Sequence, residues 1–179
     1  TNFEVAIDSY EENRHFFLAH FFRDRYDANM SKLPTITSGI TIKRIELWVT
    51  NKNGNYEDNR NIIAFTDLGE SEHISNPLWT SNGQQPAGNR ANNLYGSMTG
   101  QFSSARDISQ SSNVLDAIPG FEGSIDYEKL QSARKLKTSE YVLNSSLGYI
   151  SLNFNLQPDE VLAVAFEYTY NGTTYQVGE

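Results

Sequence analysis

The cleanest alternation of apolar and polar positions lies in the last third of the chain. Ile150, Leu152, Phe154 and Leu156 alternate with Ser151, Asn153 and Asn155, the period of two that marks a half-buried strand. After Pro158 and Asp159, the residues Leu162, Val164, Phe166, Tyr168 and Tyr170 share one face of a second strand. Its other face, Val161, Ala163, Ala165, Glu167 and Thr169, is apolar at first and polar at the end, so this strand starts in a core and finishes near solvent. Asn171-Gly172 supplies the two positive-φ residues of a type I′ turn, and Thr173 to Val177 fold back as the partner strand. A lone hairpin is marginal in water, so the rest of the chain must supply a layer for it to pack on.

Upstream, Phe3, Val5 and Ile7 predict a short opening strand. Ser9 and Glu12 have capping-box spacing. Leu18, Phe22, Tyr26, Met30 and Leu33, widened by Phe17 and Phe21, then form one stripe at helical spacing. The pattern predicts one amphipathic helix over 9–33, stopped by Pro34 and laid across a sheet. Residues 38–51 read as a strong strand in which Ile40 and Ile42 have one parity and Ile45, Leu47 and Val49 the other. That switch near Lys43-Arg44 predicts a bulge, or a strand buried on both faces for part of its length. A polar turn over 51–61 and a strand over 60–68 complete an expected long hairpin. From 69 to 113 the periodicity fails, and Leu78, Trp79, Leu94, Tyr95 and Phe102 are isolated anchors in a polar segment. A helical turn is expected at 113–118, and a helix at 127–136 from the spacing of Tyr127, Leu130 and Ala133. These elements imply a mainly β domain: an antiparallel sandwich, jelly-roll-like, with one amphipathic helix on a sheet and short helices in the middle segment. A single antiparallel sheet of the α+β class is the alternative.

Length and charge narrow the picture. The 179 residues suffice for one domain burying roughly 70% of its unfolded surface. With no cysteine, the chain carries no disulfide, thiolate zinc site or cysteine nucleophile. A formal charge of −8 with scattered basic residues argues against a nucleic-acid partner. No run approaches the ~20 apolar residues of a membrane helix. Both ends read as cut from something longer.

Candidate chemistry is sparse. His15 and His20, five apart, lie about 140° apart on a helix and cannot share a metal the way a spacing of four allows. The chain lacks a GxSxG elbow, a P-loop and a GxGxxG motif, so no catalytic, metal or cofactor residues are assigned. A Ser-His-acid grouping assembled at long range is compatible with the sequence but has no motif behind it. The loop around Asn51, Asn53, Asn55, Glu57 and Asp58 offers oxygen ligands without EF-hand register. Trp79 and Tyr95, with Asn53 and Tyr56 at the loop tip, are the expected contact residues. Either the two middle-segment aromatics stack on a glycan or partner, or they pin the long segment onto the sheet.

Four stretches resemble one family. They are FFLAHFFRD (16–24), SGITIKRIELWVTNK (38–52), RNIIAFTDLGE (60–70) and PDEVLAVAFEYTYNGTTYQVGE (158–179). They are similar to the SprA proteins, called Sov in some species, of Bacteroidetes bacteria, and leave 71–138 largely unmatched. The resemblance implies part of the giant outer-membrane β-barrel that exports folded cargo in the type IX secretion system, on which gliding motility also depends. It implies PorV-like and plug subunits as partners, secreted proteins as cargo, and no enzymatic residues to carry over. Lacking the repeated lipid-facing strands of a barrel wall, the chain is expected to be a single soluble extra-membrane domain of a much larger outer-membrane protein in a Gram-negative cell. Such a domain would act in gating or partner contact, on either side of the membrane. A cell-surface carbohydrate-binding module is the competing expectation.

Overall fold

The structure is a computed structural model and describes residues 11–52, 54 and 58–179. Its strands are β1 (His15–Phe17), β2 (Ile40–Val49), β3 (Asn59–Phe65), β4 (Tyr127–Lys135), β5 (Tyr141–Asn144), β6 (Tyr149–Leu152), β7 (Leu162–Tyr170) and β8 (Thr173–Val177). The helices are short: α1 (His20–Arg23), α2 (Tyr26–Met30), α3 (Leu94–Thr99) and α4 (Ser111–Asp116), with a 3₁₀ turn at Ser103–Arg106. Two antiparallel sheets form, a larger one in the order β3-β4-β2-β7-β8 and a smaller one in the order β1-β6-β5. The chain is thus mainly β with two sheets. One apolar cluster takes Ile150 and Leu152 from the small sheet, Ile42, Leu47, Phe166 and Tyr168 from the large one, and Phe21 and Phe22 from α1. The main core therefore lies between the sheets, as in a sandwich.

The central pair β2–β7 follows the sequence pattern closely. Its register shifts between Ile42 and Arg44, which is the bulge that the parity switch predicts. The extra residue returns Ile40, Ile42, Leu47 and Val49 to one core, with Ile45 packed against it. Trp48 points the other way and packs with Leu130, Ala133 and Ala163. Asn171 and Gly172 have φ of 48° and 84°, as a type I′ turn requires, and Tyr168 pairs with Tyr175 across the hairpin.

Four expectations need correction. Residues 127–135 are strand β4, not a helix. Tyr127 faces one cluster while Leu130 and Ala133 share the opposite one, where strict alternation would match 130 with 132. A bulge explains the spacing: Ser132 has φ 51°, and Ile62 pairs with Leu130 while Arg60 pairs with Ala133. A change of face followed by a bulge thus produces intervals of three that imitate a helix. Second, β2 and β3 are not a hairpin, because β4 lies between them. Third, the helix expected over 9–33 is, among the described residues, helical only within 20–30, in two pieces broken at Asp24-Arg25. His15, Phe16 and Phe17 instead pair with Ser151, Ile150 and Tyr149 of β6. Fourth, β6 ends at Leu152, although Phe154 and Leu156 still pack on the core. The strand expected over 3–7 lies outside the described residues.

The helical segment still does what an amphipathic segment does. Phe22 is fully buried, with its ring edge-on to Tyr168 at 5.0 Å and tilted against Phe166 at 5.8 Å. Its other side meets backbone: a Cβ on Gly148, which has φ +70°, would stand 2.4 Å from Phe22 Cγ. Gly148→Ala is therefore expected to cost about 2–4 kcal/mol, from left-handed backbone strain plus displacement of a packed ring. Urea denaturation measures this; a loss below ~0.5 kcal/mol would show that the ring is free to move.

Candidate functional site

The segment 69–113, which has no periodicity, is folded by short polar side chains that bond main chain. Asp67 is 3% exposed and accepts the amides of Ser75 and Asn76, both at 2.8 Å. Asn76 Oδ1 accepts the Leu78 amide at 2.9 Å, and its Nδ2 donates to the Gly120 carbonyl at 2.7 Å. Buried Asn92 donates to the carbonyls of Asp67 and Glu70, each at 2.8 Å, and accepts the Leu94 amide at 2.8 Å. Asn and Asp favour such local turns because their side chains imitate a backbone group. With the residues that follow it, the segment forms a second apolar cluster around Trp79, Leu94, Met98, Leu115, Phe121 and Tyr127.

This architecture places the expected contact residues. Trp79 is 7% exposed and packs edge-on to Phe121 at 5.3 Å, so it pins the segment and offers no open stacking face. Tyr95 is half-buried, and its hydroxyl donates to Glu179 Oε1 at 2.9 Å, a carboxylate that Arg106 also contacts. Burial, followed by the bond to Glu179, pushes the Tyr95 pKa up. Asn53 and Tyr56 lie outside the described residues.

A cleft opens where this segment meets α1. Phe21, Arg25, Glu72, Gln84, Gln85 and Tyr170 are among its walls, around a space of about 210 Å³. Arg25 lies over the Phe21 ring, 3.9 Å from its centroid, and donates to the Phe21 carbonyl at 3.2 Å. Beside the cleft a clasp joins α1 to the segment. His73 Nε2 is 2.6 Å from Asp24 Oδ2, the His20 amide donates to Glu70 Oε1 at 3.1 Å, and the His20 and His73 rings stand 4.6 Å apart. The hydrogen bond from His73 is the main cause that lowers the Asp24 pKa. Among the described residues, no group of three or more His, Asp or Glu is arranged to hold a metal ion.

A long-range Ser-His-acid chain does form, on the small sheet. His15 Nδ1 is 2.8 Å from Ser151 Oγ, and His15 Nε2 is 2.6 Å from Glu11 Oε2. These are hydrogen-bond distances of the kind a nucleophile, base and orienting acid would show. The His15 and Glu11 side chains are each about half exposed on a flat strand pair. What the chain of bonds does here is fix one imidazole and tie the segment before β1 to β6. Arg14 adds a bond from its Nε to the Leu152 carbonyl at 3.0 Å.

Neither protein-family models nor curated proteins yield a match to this chain. Sequence reasoning placed Phe21 and Tyr170 as core positions and did not single out the polar cleft residues. Arg25 reads as a solvated helix position, and Glu72, Gln84 and Gln85 sit in an aperiodic segment with no spacing to connect them to Tyr170.

Asn92→Ala strands two carbonyls and one amide in a buried setting and is expected to cost about 2–4 kcal/mol in urea denaturation; a change under ~1 kcal/mol would mean the segment is held by apolar packing alone. The sign of the acid response also follows. Because the Asp24 pKa is lowered on folding, its contribution is present above the ordinary carboxylate range and is lost as pH falls through the folded value. Asp24→Asn should flatten that part of the acid-denaturation curve. An unchanged acid limb would contradict the clasp.

Proposed function

We propose that this chain is a non-catalytic, extra-membrane domain of a SprA/Sov-like outer-membrane translocation channel. It serves type IX secretion and the gliding motility linked to it, and acts in gating or in contact with cargo and with PorV-like and plug subunits. One observation carries the reading: the three resembling stretches in the first 70 residues and the fourth at 158–179 pack as one framework. The first places Phe22 on Tyr168 of the fourth, and the second forms β2, paired along its length with β7 of the fourth. The third ends at Glu70, bonded to the His20 amide of the first, and its Gly69 lies against Val177 of the fourth.

The large sheet also supports a position outside the bilayer. The face away from the main core carries Trp48 under the cationic groups of Arg60 and Lys135, with Lys135 bonded to Glu46 at 2.7 Å. Arg44 of β2 and Glu167 of β7 pair at 3.0 Å further along β2. A barrel-wall strand turns an apolar face to lipid, where such charges are costly. Among the described residues, no helix is long and apolar enough to cross a membrane. The buried polar groups Asp67, Asn76, Asn92 and Asp126 each bond backbone, which suits a scaffold.

Two measurements test this reading. In fractionated cells of the source bacterium, an antibody against the chain should detect a polypeptide many times its size in the outer membrane; a small soluble band would overturn the proposal. A fluorophosphonate probe should leave Ser151 unlabelled in mass spectrometry, and labelling that disappears in His15→Ala would contradict the non-catalytic reading.

A further inference from the structure

We propose that the cleft between α1 and the segment 84–86 binds one neutral pyranose unit of a glycan. This goes beyond the domain's proposed place in a translocon and does not depend on it. The starting point is what the walls leave unused. Arg25 has a guanidinium held by the Phe21 ring and carbonyl, and no carboxylate within ion-pair distance among the described residues. The Glu72 carboxylate and the Gln84 and Gln85 side-chain amides likewise have no hydrogen-bond partner among the described residues, and all three residues are exposed. One cleft thus presents a cation without a carboxylate partner, an anion and two amides without protein partners, around the rings of Phe21 and Tyr170, which stand edge to face at 5.2 Å.

That set selects the chemistry of the ligand. A sugar hydroxyl both donates and accepts, so neighbouring hydroxyls can engage Arg25, Glu72 and the amides together. An anionic ligand would face Glu72, with Asp24 and Glu70 lining the adjoining hollow. A cationic one would face Arg25. A peptide strand seeks main-chain partners, but the amide and carbonyl of Gln85 are both taken by Ser71 Oγ, at 3.5 and 2.8 Å. The space of about 210 Å³ is far more than one water needs and admits a small polar ring.

The main chain of the cleft is also pre-formed, which limits the ordering cost of binding to its side chains. Ser71 holds Gln85, Gly88 donates to the Gly69 carbonyl at 3.1 Å, and the Tyr168 hydroxyl donates to the Ala87 carbonyl at 2.7 Å. The glycan site is therefore built from Arg25, Glu72, Gln84, Gln85 and Tyr170, and not from Trp79 or Tyr95.

NMR titration of the ¹⁵N-labelled chain tests this with defined probes. These are the methyl glycosides of glucose, galactose and mannose, sodium glucuronate as an anionic sugar, and N-acetylglutamine methylamide as an uncharged peptide. At least one glycoside should shift the resonances of Phe21, Gln84, Gln85 and Tyr170. In Glu72→Ala and Gln85→Ala, surface changes that leave the core intact, its affinity should fall at least about fivefold, the effect of one lost hydrogen bond to the ligand. The proposal is overturned if no glycoside moves these residues, if glucuronate or the peptide binds there more tightly, or if both variants bind the glycoside unchanged. None of those failures bears on the fractionation test of the translocon reading.

Discussion

Tyr168 is the side chain on which the separate parts of this molecule meet. It is fully buried near the end of β7, with Phe22 edge-on at 5.0 Å and Tyr175 of the neighbouring strand stacked at 5.4 Å. Burial is the main cause that pushes its pKa far up, so the hydroxyl stays protonated and serves as a donor. It donates to Ala87, and with the bonds of Asn89 to Gln176 and Gly178 this ties the aperiodic segment to the sheet beneath it. Phe22 in turn is seated only because Gly148 has no side chain. Large sheet, small sheet, α1 and the middle segment are thereby fixed to one another at one place, and the cleft lies beside it.

The legible and illegible parts of this fold differ in where their information resides. β7 and β8 were readable because alternation and the Asn171-Gly172 turn are local, and β2 because a parity switch marks its bulge. β4 misled because Ser132 adopts φ 51° at a half-buried position, with nothing in the residue type to announce a bulge. β1 was hidden for another reason: Phe16 has an apolar neighbourhood that fits a helix, and only its pairing with Ile150 makes it a strand. Strand order was lost where β4 inserts between two strands that are consecutive in sequence.

The site was less legible than the fold. The Asn and Asp residues of the middle segment signalled turns, but which of them are buried depends on partners such as Gly120 and Asp67 that spacing does not reveal. Large aromatics drew attention to Trp79, yet a tryptophan among isolated anchors gains more by burial than by exposure. The groups left free, Arg25, Glu72, Gln84 and Gln85, are ordinary surface residues until folding gathers them around Tyr170. Unused hydrogen-bonding capacity in a rigid cleft exists only in three dimensions.

The central claim is that Tyr168 couples the sheet to the segment that builds the cleft, and hydrogen exchange on Tyr168→Phe tests it most directly. Removing the hydroxyl keeps the ring and its packing and deletes only the bond to Ala87. The account predicts faster exchange at the amides of Gly88 and Asn89, which bond Gly69 and Gln176, while the β2–β7 ladder stays protected. Unchanged exchange at both amides, or an equal loss of protection across the whole sheet, would contradict it.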